Sequence, residues 1–397
     1  MTEFTVIDDT IEFEAACRAL SAGTGPVAVD VERASGFRYS QRAYLVQVFR
    51  RDAGVFLFDP PALGDFTSLQ AAVGHLEWVF HAASQDLPSL RELGLTPNSL
   101  FDTELASRLL GREKVGLAAV VEETLGITLK KEHSAADWST RPLPEAWLEY
   151  AALDVLYLVD VRDAIATELE ERHKDEFAAQ EFAATLAQPP RPPREDPWRR
   201  LSGLHQVKGA RKLAVARSLW NAREEYAQEQ DVAPGRLVPD RALVAAVLAD
   251  PQSKQALAAE KAFTGRASRA QLDRWWAAIV RGREESVLPR ERVHSDSLPP
   301  ARAWAERNPE ADARLKLARP AVEEVAQELS MPTENLLKPD FLRRLAWAPP
   351  VLTEAALSAA LAELGARPWQ IEQTVQKILD AFVESMQQPA EGERLES

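Results

Sequence analysis

The run Gln188-Pro189-Pro190-Arg191-Pro192-Pro193-Arg194-Glu195-Asp196-Pro197 constrains this chain most, because no helix can continue through it. Each proline lacks an amide donor and favours extended backbone, so the segment marks a break between two parts of the chain. Strand signals occur only before it. Short β-branched or aromatic runs stand at Phe4-Thr5-Val6-Ile7, Val27-Ala28-Val29-Asp30-Val31-Glu32, Tyr44-Leu45-Val46-Gln47-Val48-Phe49, Val55-Phe56-Leu57-Phe58 and Trp78-Val79-Phe80-His81. Stretches of helical period, such as Ile11 to Ala22 and Leu117 to Leu125, lie between and after them. The second to fourth strands lie close together, with Arg51-Asp52-Ala53-Gly54 as a turn, so a meander is expected within a mixed α/β sheet.

Beyond Pro197 the pattern is helical throughout. Lys212 to Gln230 repeats apolar residues at Leu213, Ala216, Leu219 and Trp220, and similar periods recur at Leu243–Leu248, Ala270–Val280, Val322–Leu329 and Ala355–Leu364. A second break from Val287 to Pro300 splits this half into two small bundles. The predicted layout is an α/β domain over 1–186, a linker over 187–197, a bundle over 198–285, a linker over 286–300, a second bundle over 301–386 and a polar tail over 387–397.

Charge is distributed unevenly. The net −14 resolves into −15 over residues 1–186, +6 over 187–285 and −5 over the remainder. A polyanion would be repelled by the first part unless cations offset its carboxylates, whereas the middle part attracts it. Ordinary solvated surface accounts for the same asymmetry. Cys17 is the sole cysteine, which excludes an internal disulfide and a cysteine-based zinc cluster. No membrane-length apolar run and no secretory N-terminus is visible, so a cytoplasmic setting is expected.

Three stretches carry acids where acids are costly. Asp30 and Glu32 alternate within an apolar strand, so both leave one sheet face about 6–7 Å apart and repel unless a cation lies between them. A solvent-facing strand edge would explain that pair equally well. Tyr150 and Asp154 stack at i and i+4 of a mostly apolar helix, as a metal site or a simple tyrosine–aspartate hydrogen bond would require. Asp86 comes after a buried strand and a helix start near Ser84, a place where acids also serve the helix dipole. His81 reads as a hydrogen-bonded strand-end residue and not as a ligand.

The ordered set Asp30-x-Glu32, Asp86 and Tyr150-x-x-x-Asp154 resembles the three exonuclease motifs of the DEDD superfamily in its tyrosine-bearing branch. The flanks resemble ribonuclease D: Phe101-Asp102-Thr103-Glu104-Leu105-Ala106-Ser107 as the helix between motifs, and Asp137-Trp138 with Arg141-Pro142-Leu143 leading to the third. Arg223-Glu224 and Leu237-Val238-Pro239-Asp240 resemble the HRDC domain, and 302–383 a more divergent second copy. Arg33 departs from the pattern, since many relatives carry an aromatic residue after the glutamate.

The resemblance implies a ribonuclease H-like fold and a 3′-5′ exoribonuclease that uses two divalent cations, Mg²⁺ or Mn²⁺, held by Asp30, Glu32, Asp86 and Asp154. Asp30 would bridge the ions, Glu32 and Asp154 would serve the attacking-water side, Asp86 the leaving-oxygen side, and Tyr150 would orient the water. The expected partner is the single-stranded 3′ end of RNA, in particular transfer-RNA precursors, bound by a monomer without membrane association. Arg38, Tyr39 and Gln47 are candidates for the terminal-nucleotide pocket. Arg199, Arg200, Lys208, Arg211 and Lys212, with Arg191, Arg194 and Arg217, are candidates for distal RNA. Lys131 and Arg141 read as structural or phosphate-contacting. A DNA exonuclease and a non-catalytic RNA-binding scaffold remain open, whereas a helicase is disfavoured because no Gly-Lys pair exists to build a phosphate loop.

Overall fold

The computed structural model of the chain describes residues 4–129, 136–190, 192–263, 265–291 and 298–387. Its first part holds six strands: β1 (Thr5–Ile7), β2 (Thr24–Arg33), β3 (Ala43–Arg51), β4 (Gly54–Phe58), β5 (Glu77–Phe80) and β6 (Ser99–Asp102). They form one sheet in the order β1-β4-β3-β2-β5-β6. The expected meander is β2-β3-β4, antiparallel throughout, while β1 joins β4 in parallel, β5 joins β2 in parallel and β6 joins β5 in parallel.

Alternation along β2 decides which face does what. Val27, Val29 and Val31 pack beneath the sheet with Phe13, Phe58 and Phe66. Ala28 faces the other side, where Ala151, Ala152 and Val155 of the Glu145–Leu156 helix cover it. Asp30 and Glu32 share that second face by the period of two. The ladder from β2 to β5 is short, pairing Val27 with Trp78 and Ala28 with Val79.

Two local expectations need correction. The Phe101–Ser107 stretch is not a single helix: Ser99–Asp102 is an edge strand, and the helix begins at Thr103 with Asp102 as its N-cap, accepting from Glu104 and Leu105 amides. Asp102 also accepts from the amides of Ala82 and Ala83, which fixes the chain where β5 ends. Ser84 is not a cap either. It sits in the 3₁₀ turn Ala83–Gln85, entered through Ala82 at φ 71°, and Asp86 itself stands at the N-cap of the Leu87–Glu92 helix.

All secondary structure described beyond residue 190 is helical. The Ala210–Gln230 and Leu272–Glu284 helices build a core of their own around Trp198, Leu219, Phe263 and Trp275. The helices from Pro309–Glu328 to Pro368–Gln387 instead continue the core of the first part. Phe177 stacks on Trp369 at 4.4 Å, Trp369 Nε1 donates to Glu181, and Lys174 Nζ donates to the carbonyls of Leu109 and Leu329. Among the described residues no helix is long and apolar enough to cross a membrane.

Candidate metal centre

Strand β2, the 3₁₀ turn after β5 and the Glu145–Leu156 helix meet at one concavity of about 240 Å³, lined by Asp30, Glu32, Arg33, His81, Asp86, Tyr150 and Asp154 among others. Carboxylate oxygens of Asp30, Glu32 and Asp154 lie within 4.8 Å of one another. Asp154 is hydrogen-bonded to Tyr150 one helical turn away. Asp86 is buried at the rim, and Arg33 stands 3.7 Å from it. A larger cleft of about 940 Å³ lies elsewhere, between Arg112 and Met331, and contains none of these groups.

The electrostatics show how poorly the carboxylates tolerate one another. Burial pushes Asp30 up to about 6, against the opposing pull of the Val31 amide and Arg33. Burial, with repulsion from Asp30, Asp154 and Asp86, pushes Glu32 up to about 10. Asp86 and Asp154 are likewise raised by burial and by Asp30. Tyr150 is raised by burial and by the Asp154 and Glu32 charges, so its phenol stays protonated. Three hard oxygen donors at this spacing, among carboxylates that repel one another, fit a hard divalent cation.

These shifts make stability depend on pH. A carboxyl raised in the folded state binds more protons folded than unfolded, so stability falls as pH climbs from the unfolded value through the folded one. For Asp30 and Glu32 that interval runs from near 4 to about 6 and about 10. In chelator, the melting temperature is expected to drop between pH 6 and 8 more steeply than in saturating Mn²⁺, and Glu32→Gln should flatten the chelator profile. Differential scanning fluorimetry reads this directly.

The structure places the remaining candidates variously. His81 makes a 2.9 Å hydrogen bond with Thr103 Oγ1 and is lowered to about 4 by burial, so it lines the site as a neutral residue. Arg141 binds Asp59 through two bonds of 2.7 and 3.0 Å and caps the carbonyls of Trp138 and Tyr44, a structural staple. Gln47 pairs with Asp30 across β2 and β3 but is fully buried, and its side-chain amide has no hydrogen-bond partner among the described residues; it is not among those lining the pocket. Arg38 donates to Ser139 Oγ.

Tyr39 is engaged from an unexpected direction. Its hydroxyl bonds Gln228 and Glu224 of the first bundle, and nearby Asp231 accepts from Ser40 and Tyr44. Sequence reasoning missed this clasp between parts, for which neither stretch carries a pattern. Arg200, Lys208, Arg211 and Lys212 are at least partly exposed, whereas Arg199 is tied to Asp196 and lies over Trp198. Trp275 is core, with Trp276 only partly buried against it. Lys131 and Arg191 lie outside the described residues.

Comparison with known proteins finds matches along most of the chain. Residues 4–170 match the 3′-5′ exonuclease family, 212–279 the HRDC domain and 297–382 the 3′ to 5′ exonuclease C-terminal domain. The chain is 34% identical to a ribonuclease D of a Jannaschia species over 255 residues, 60% of this chain and 63% of that one. The crystal structure of Escherichia coli RNase D, described as an exoribonuclease involved in structured RNA processing, superposes with a TM-score of 0.68 at 25% identity, covering 91% of this chain and 98% of that one. The chain carries a 3′-5′ exonuclease domain and an HRDC domain and is similar to ribonuclease D. Its similarity to a crystallised protein from Bifidobacterium adolescentis is greater, with a TM-score of 0.87 and 35% identity over 96% of this chain and 100% of the other. The stretch matched to the first curated ribonuclease D sequences spans a little over three-fifths of their length. Within the family's exonuclease match fall all four acids and Tyr150.

Proposed function

We propose that this chain is a metal-dependent 3′-5′ exoribonuclease that removes nucleoside 5′-monophosphates from the single-stranded 3′ end of RNA. The observation that carries the reading is the convergence of Asp30, Glu32 and Asp154 within 4.8 Å, beside Tyr150. Asp30, Glu32 and Asp154 would hold one divalent cation, and Asp86 would serve a second. Such ions neutralise phosphate charge and acidify water. Asp154 fixes the Tyr150 hydroxyl, and that hydroxyl, kept protonated, orients the attacking water without deprotonating it. Arg200, Lys208, Arg211 and Lys212 would hold more distant RNA through phosphate contacts that weaken with salt. Transfer-RNA precursors with 3′ extensions are the proposed substrates, processed in the cytoplasm by a monomer.

Timed digestion of a 5′-labelled RNA in Mg²⁺, beside the matched DNA strand, tests this reading. A ladder shortening by single nucleotides from the 3′ end is expected, with RNA lost faster than DNA. Internal cuts, or undiminished digestion in excess chelator, would remove the assignment.

A further inference from the structure

Arg33 is a cation already present at the metal centre. It comes directly after Glu32 at the end of β2, where the β2–β3 pairing shifts register between Glu32 and Arg33. Such irregularities re-aim a side chain that regular pleating would send to the opposite face. The guanidinium donates to the carbonyl of Gln85 and stands 3.7 Å from Asp86, whose side chain is almost wholly buried. The positive charge also acts on Asp30 and Glu32. Of the four acids, three converge on one another, and the fourth faces this arginine.

A guanidinium and a divalent ion compete for one carboxylate, because both satisfy the same negative charge and repel each other at short range. We propose that Arg33 is a tethered counter-ion to Asp86, so that the free protein takes one divalent cation tightly, at Asp30, Glu32 and Asp154, and a second only weakly. The arginine has room to move away. It also borders an adjoining cavity of about 690 Å³ shared with Gln41, Gln85, Ser89 and Arg91. This inference rests on the metal-dependent reading above but concerns how many ions load and in what order.

Mn²⁺ binding to the full chain, measured by calorimetry and by the electron paramagnetic resonance of free Mn²⁺, decides the matter without an activity assay. One tight ion is expected for the unaltered protein, with the second at least about tenfold weaker. Arg33→Met is expected to raise the second affinity by about that factor, and Arg33→Lys, which keeps the charge, to stay close to the unaltered protein. Should Arg33→Met fail to fold, Arg33→Gln removes the charge while keeping a donor for Gln85. Two equally tight ions in the unaltered protein, unchanged by neutralising Arg33, would discard the counter-ion role and leave the nuclease reading intact. No Mn²⁺ bound by the unaltered protein would discard both.

Discussion

A protein carrying Asp30→Asn is expected to lose RNA hydrolysis by about 10³-fold or more, while its metal-free form becomes more stable. The first effect reflects a lost ligand at the centre of the acidic group. Metal-based charge stabilisation is worth several kcal/mol, and about 4 kcal/mol corresponds to about 10³ in rate. The second effect has the opposite sign because Asp30 repels Glu32, Asp86 and Asp154. Removing one like charge relieves strain of about 1–2 kcal/mol, given about 1.4 kcal/mol per pKa unit. Single-turnover digestion and thermal melts in chelator, run on one preparation, give both numbers. Lower stability together with lost activity would mean that Asp30 supports the fold and not a cation.

Tyr150→Phe is expected to slow the chemical step by about 10²-fold with divalent-ion affinity unchanged, since small misplacements of a reacting group cost about that factor. The phenylalanine ring retains the packing beside Leu117 and Ala151 in the covering helix layer. Only the hydroxyl is lost, and with it the bond to Asp154. A fall in kcat with Mn²⁺ affinity preserved supports water positioning. Equal losses in Mn²⁺ affinity and rate would instead make the tyrosine a support for Asp154. The two substitutions thereby separate ligand from orienting residue.

Much of this is legible in the sequence because the informative signals are local. The five strand runs read from the sequence correspond to β1–β5, and the period of two alone puts Asp30 and Glu32 on one face. The i, i+4 spacing does the same for Tyr150 and Asp154. The shorter elements escape: β6 spans four residues and runs directly into a helix, so its Phe101-Asp102 reads as helix onset. The turn before Asp86 is held by Asp102, far enough downstream that no local pattern announces the contact. Long-range docking is equally invisible. The second bundle shares a core with the α/β part through Phe177, Glu181 and Trp369, and the first bundle reaches Tyr39 and Ser40. Gln47, a candidate for the terminal-nucleotide pocket, is fully buried within β3 and is not among the residues lining the concavity.

The brevity of the β2–β5 ladder has its own consequence. Once Ala28 and Val79 have paired, the two strands part company, and the last residues of β2 run on beside β3 alone. The resulting wedge admits side chains from a turn and a helix, so groups distant in sequence gather beside the end of β2. Extending the parallel pairing by even one step would zip the wedge shut. The capacity for chemistry in this architecture is thus set by where two strands stop touching, a length that selection can adjust residue by residue.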